Sequence, residues 1–192
     1  MPNGFFQQAA AAAIALLSLN SLAHAQDNDA CTIATLKGSY GVTVHGQSLG
    51  ILTGTAPNQV LHRFAAPVDI DAVALATFDG TGTGTQEDFA MFNGAVRPGS
   101  PPDSFVSNEM LSYNVDANCT GELRLTFPND TKITQKIVVV DNGNEISGVT
   151  SAQHIASGPP AFDTTPCDKG CDVAIQASAH FVRVGQKHEH EH

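Results

Sequence analysis

The residues able to do chemistry in this chain are mostly histidines and aspartates. His45, His62, His154 and His180 are scattered in sequence. A neutral imidazole can ligate a metal or act as a general base near neutral pH. Converging inside a closed sheet, these four would make a site; on an outer face they would be ordinary surface side chains. His180 is the strongest of them, because Gln176 and Ser178 share its face of an alternating segment. Asp69 and Asp71 also share one face of an extended segment. Pointing into a barrel, two carboxylates could bind a cation or divide acid and base roles; at a strand's outer end they would be solvated. The candidate catalytic groups are therefore His180 and Asp71, and the candidate ligand-binding groups are Gln176, Ser178 and His180. Glu87-Asp88 reads as a solvated loop. The final residues alternate imidazole and carboxylate, and His188, His190 and His192 could chelate Cu²⁺, Ni²⁺ or Zn²⁺. The plainer reading of 187–192 is a flexible His/Glu tail or an affinity tag.

Recognised catalytic motifs are missing. There is no G-x-S-x-G elbow, no phosphate-cradling loop with lysine and no H-E-x-x-H, so no cofactor is expected. The glycines of Gly80-Thr81-Gly82-Thr83-Gly84 precede no helical pattern and read as hairpin and strand glycines, not a nucleotide site. With no Trp and 2 Tyr, flat platforms for sugars are scarce. The aromatic stock is Phe, which reads by default as core filling. The sharper reading is a Phe- and aliphatic-lined cavity for a small apolar molecule.

The elements that must position these groups read as strands. Gly38 to His45 alternates, with Tyr40, Val42 and Val44 on one face. Gln59 to Ala65 and Val68 to Phe78 follow, the latter ending at Asp79-Gly80, a hairpin signal of the type I′ kind. Thr81 to Thr85 continues towards Met91. Met110 to Val115 turns at Asp116-Ala117-Asn118 into Cys119 to Phe127. There Gly121, Leu123, Leu125 and Phe127 oppose Glu122, Arg124 and Thr126, the mark of a half-buried antiparallel strand. Thr131 to Val140, Glu145 to Thr150 and Val173 to Val184 complete the set. Proline-bearing loops lie at Arg97 to Ser104 and Ile155 to Asp172. No comparably amphipathic helix appears. The expected fold is all-β, an antiparallel closed or nearly closed barrel of about eight strands, with a two-sheet sandwich as alternative.

Composition bounds the rest. Residues 1–25 read as a signal peptide, with an apolar run from Ala9 to Leu17 and small residues Ala23 and Ala25 at the cleavage site. A single domain over 26–186 is expected outside the cytoplasm, periplasmic or extracellular. The net charge of −10 supplies no basic footprint for nucleic acid. No later apolar stretch approaches the roughly 18 residues of a membrane span. Four cysteines allow three pairings. Cys167 and Cys171 bracket the tight turn Asp168-Lys169-Gly170 and should close a small loop, leaving Cys31 to join Cys119. A four-cysteine metal site is the competing reading, but the spacing lacks paired zinc-knuckle form.

The string Cys31-Thr32-Ile33-Ala34-Thr35-Leu36-Lys37-Gly38-Ser39-Tyr40-Gly41-Val42 resembles the start of a group of exported bacterial proteins of uncharacterised function. Phe78-Asp79-Gly80-Thr81-Gly82 and Tyr113-Asn114-Val115-Asp116-Ala117-Asn118-Cys119-Thr120-Gly121 are similar to two further hairpins of that group, in the same order. The resemblance spans most of the chain beyond residue 30 and supports the Cys31–Cys119 pairing. More remotely, Gly38-Ser39-Tyr40 resembles the Gly-x-Trp opening of calycin barrels such as lipocalins, and of allene oxide cyclase-like and dirigent-like barrels. No functional residue carries over. The expected function is binding of a small apolar or amphipathic ligand, or a cell-envelope interaction module. A cyclase- or isomerase-type enzyme using the barrel cavity and a purely structural envelope protein are the alternatives.

Overall fold

The computed structural model describes residues 30–185. The expected signal peptide at 1–25 and the tail at 187–192, with His188, His190 and His192, lie outside the described residues. Nine strands are present among the described residues: β1 Gly38–Thr53, β2 Val60–Phe78, β3 Thr83–Phe92, β4 Ala95–Val96, β5 Val106–Val115, β6 Thr120–Thr126, β7 Lys132–Val140, β8 Glu145–Ile155 and β9 Cys171–Arg183. All pairings are antiparallel. Leaving β4 aside, successive strands pair with one another, β3 pairs β5, and β9 returns to β1, so eight strands form a ring. The two-residue β4 rides on β3 outside that ring. The ring is not even about one axis, which leaves it between a barrel and a sandwich.

Alternation explains the ring's inside. On β6, Leu123 and Leu125 are buried; on β7, Ile137 and Val139; on β9, Ala177, Ala179 and Phe181. All of these except Ala177 face Tyr40, Val42, Ala76, Phe78, Leu111 and Tyr113 in one continuous core. Phe78 is its centre. Its ring meets Tyr40 and Tyr113 edge-on at 5.4 and 4.9 Å and lies 6.3 Å from Phe181. Phe127 joins this core, but Phe105 and Phe162 are exposed, so core filling does not account for every phenylalanine.

A short 3-10 turn, Ile33–Leu36, plugs the end of the ring nearest Phe78 and buries Leu36 completely. Tyr40 donates its hydroxyl to Gly143 O at 2.5 Å. Arg183 donates to the carbonyls of Thr35 (3.0 Å), Gly143 (2.8 Å) and Lys37. Cys31–Cys119 stitches the same end, and Cys167–Cys171 closes a small loop before β9. With separations of 88 and 4 residues, loop entropy assigns about 4.6 kcal/mol to the first and about 2 kcal/mol to the second. Both bridges fit an oxidising environment, and a four-cysteine metal site is overturned because every described cysteine is oxidised. No helix among the described residues is long and apolar enough to cross a membrane.

Three local expectations need correction. The two segments expected on either side of Pro67 are one strand, β2. Its register against β1 jumps from Ser48↔Val68 to Gly50↔Arg63. Pro67 sits inside that bulge, where no ladder hydrogen bond is required of it. The Asp79-Gly80 hairpin is not a two-residue turn. Four residues, Asp79 to Gly82, lie between β2 and β3. Asp79 organises them by accepting from the backbone N–H of Thr81, Gly82 and Thr83 and from the hydroxyls of Thr81 and Thr83. Those bonds hold its carboxyl far below the usual range. Finally, β8 runs on past Thr150 to Ile155, across a register shift against β7 at Thr134/Gln135.

Candidate functional site

The sequence candidates on β9 share its outer face. Gln176, Ser178 and His180 are all exposed. Their ladder partners on β1 are Gln47, His45 and Thr43, and β1 in turn brings Asp69 and Asp71 alongside from β2. Asp69 accepts from Gln47 Nε2 at 2.8 Å. Asp71 sits 2.6 Å from His45 Nδ1, with both side chains about 70% exposed. His180 Nε2 meets Glu145 at 3.2 Å. Such open pairs contribute little to stability. The histidines therefore do not converge inside the ring. Each described histidine instead takes a carboxylate partner, since His154 Nδ1 lies 2.8 Å from Asp172 and His62 Nδ1 lies 2.7 Å from Asp163. Among the described residues, no group of three or more His, Cys, Asp or Glu is arranged to hold a metal ion.

Part of that outer face lines an open groove of about 770 Å³ that runs across β1, β9, β8, β7 and β6, while Gln176, Asp69 and Asp71 lie outside its lining. Thr43, His45, Ser178 and His180 form one flank. Val149 and Val138, both exposed, lie between them and the opposite flank of Lys136 and Glu122. Lys136 Nζ donates to Glu122 at 2.6 Å, and Arg124 donates to the same carboxylate at 2.7 Å. These two bonds draw the Glu122 carboxyl below its ordinary value. The groove thus offers apolar side chains between ionisable ones.

Inside the ring lies a polar cluster that the sequence did not suggest. Asp88, expected in a solvated loop beside Glu87, is on β3 and only 5% exposed. Its parity explains why: Asp88 falls in phase with Ala90 and inward, while Glu87 points out. Glu109, in phase with Leu111 and Tyr113 on β5, is fully buried. Arg97, from the proline-bearing loop after β4, grips Asp88 with two hydrogen bonds of 2.7 Å and bonds Ser100 at 3.0 Å. Its guanidinium lies 5.0 Å from the centre of the Phe127 ring and 3.8 Å from Glu109. Gln86 donates to Glu109 at 3.0 Å. Burial, and then the adjacent Asp88 carboxylate, push the Glu109 carboxyl up to about 8. Strand parity read from Ala90 and Leu111 could have found both acids; nothing in sequence pairs them with Arg97.

A third arrangement stands at the far end of the β1–β2 hairpin. His62 is held on both ring nitrogens. Thr53 Oγ1 lies 3.0 Å from Nε2. On the other side, Asp163 Oδ2 lies 2.7 Å and Thr165 Oγ1 2.9 Å from Nδ1. Asp163 and Thr165 arrive on the loop between β8 and β9, which Phe162 N–H pins to Arg63 O at 2.8 Å. The His62 bond, and then those from Thr165, hold the Asp163 carboxyl down to about 2.

Compared with known proteins, the chain matches no family model, no curated protein and no solved structure.

Proposed function

We propose that the protein is an exported β-barrel binding module that takes a small amphipathic ligand in its outer groove. The groove carries this reading. Its volume falls in the range of roughly 300–1,000 Å³ usual for small-molecule sites, and its lining pairs Val138 and Val149 with Lys136, Glu122, His45 and His180. An amphipathic molecule could place its apolar part on the valines and its polar group against either flank. The aromatic end of the ring interior, filled by Tyr40, Phe78, Tyr113 and Phe181, favours the outside over the inside as the binding surface. Export is supported by the signal-like segment at 1–25 and by the two disulfides. The calycin-like resemblance belongs to the same proposal, supported by the up-and-down order of the eight ring strands.

Thermal shift against single-chain amphiphiles with cationic, anionic and zwitterionic headgroups tests this reading. One headgroup class should raise the melting temperature, and Val149→Asp should abolish the rise while leaving the unliganded melt close to wild type. No shift with any class, or a shift that survives Val149→Asp, would remove the groove from consideration.

A further inference from the structure

We propose that Thr53, His62 and Asp163 form an acyl-transfer triad acting on small activated acyl esters, a site separate from the groove. The argument is the order of contacts. A hydroxyl sits 3.0 Å from Nε2 of an imidazole, and a carboxylate sits 2.7 Å from Nδ1 of the same ring. Hydroxyl, base and orienting acid stand in the relation that activates a serine or threonine nucleophile, and that relation is recognised by geometry and role rather than by sequence order. Asp163 accepts a hydrogen bond from Nδ1–H and so holds the tautomer that leaves Nε2 free to accept from Thr53. Thr165 keeps Asp163 in place through its backbone N–H at 3.1 Å and its hydroxyl at 2.8 Å.

The surroundings suit a substrate arriving from solvent. The His62 side chain is about a quarter exposed, so it is both held and reachable. Val60, the ladder partner of Thr53, and Phe162, beside Asp163 in sequence, are exposed apolar residues on the two segments that bring the triad together. A latch that merely fastens the loop to the hairpin would need His62 and Asp163 but would have no use for Thr53.

The chemistry balances without a cofactor. The Thr53 hydroxyl proton moves to His62 Nε2 as Oγ1 attacks the ester carbonyl carbon. The bond from that carbon to the leaving oxygen breaks, the leaving group takes the proton from Nε2, and the acyl group remains on Oγ1. Water then loses a proton to Nε2 and attacks the acyl carbon. The acyl–Oγ1 bond breaks, Oγ1 recovers the proton, and a carboxylic acid departs.

The test is p-nitrophenyl acetate with the disulfide-intact protein, following p-nitrophenol release and mapping the acetylated peptide by mass spectrometry. Acetyl should appear on Thr53. Thr53→Val, which keeps the side-chain shape, should lower release about 100-fold, as should His62→Ala. Thr53→Ser should restore release, and Asp163→Asn should slow it. Denaturation midpoints of Thr53→Val and Thr53→Ser close to wild type will show that both fold. No release, release unchanged in Thr53→Val, or acetyl found on His62 or on a lysine instead would overturn the proposal.

Discussion

Two arginines among the described residues lie over aromatic rings, and their partners differ in kind. Arg183 stands 4.8 Å from the centre of the Tyr40 ring and donates to the backbone carbonyls of Thr35, Lys37 and Gly143. Arg97 stands 5.0 Å from the Phe127 ring and faces the carboxyls of Asp88 and Glu109. Carbonyls do not titrate, so the first clamp is indifferent to pH. The second is tied to pH through Glu109. One side-chain type thus serves as a fixed fastening at the plugged end and as part of an ionisable cluster further along the strands. What it is bonded to decides which.

Removing each guanidinium tests how deep that difference runs. Arg97→Met should have the largest effect, because it strands Asp88 in the interior beside Glu109 without a cation. Losing one partner of a buried ion pair costs about 3–5 kcal/mol, readable as a lower urea midpoint. Arg183→Met takes charged donors from three carbonyls but strands no charge. It should cost about 2 kcal/mol, and the contrast fails if it equals or exceeds Arg97→Met. The gentlest change, Glu109→Gln, sharpens the comparison. The fold raises the Glu109 carboxyl from 4.5 to about 8, favouring the protonated form. Its contribution is therefore complete below about 4.5 and is lost as pH climbs towards about 8. Wild-type stability should fall across that window, and Glu109→Gln should flatten the fall while Arg183→Met leaves it intact. Urea midpoints at several pH values check this; a slope unchanged in Glu109→Gln would take the acid out of the account.

The all-β ring was legible because alternation is strict on β6 and recurs over much of β7 and β9, and both disulfides followed from the turn at Asp168-Lys169-Gly170. Bulges hid the rest. Pro67 looked like a break because a proline inside a paired strand forfeits a bond, and only the register shift at Ser48/Gly50 makes it harmless. The dipeptide Glu87-Asp88 looked solvated because adjacent acids usually are, whereas a strand sends its neighbours to opposite faces. His180, Ser178 and Gln176 were correctly placed on one face, but periodicity cannot say whether that face lies within a ring or outside it. Asp163 stands 101 residues from His62, on a loop whose path no local pattern specifies.

The first strand of the ring and the last are neighbours, and this governs how the molecule can come into being. While the polypeptide is still being made, β1 has β2 on one side and nothing on the other, and β8 waits equally bare. Only when β9 is released do both find a mate, so closure is a long-range and late event, of the kind that slows folding. A chain cut short before β9 would present two raw borders to other molecules. Premature termination should therefore yield clumping rather than a smaller soluble protein.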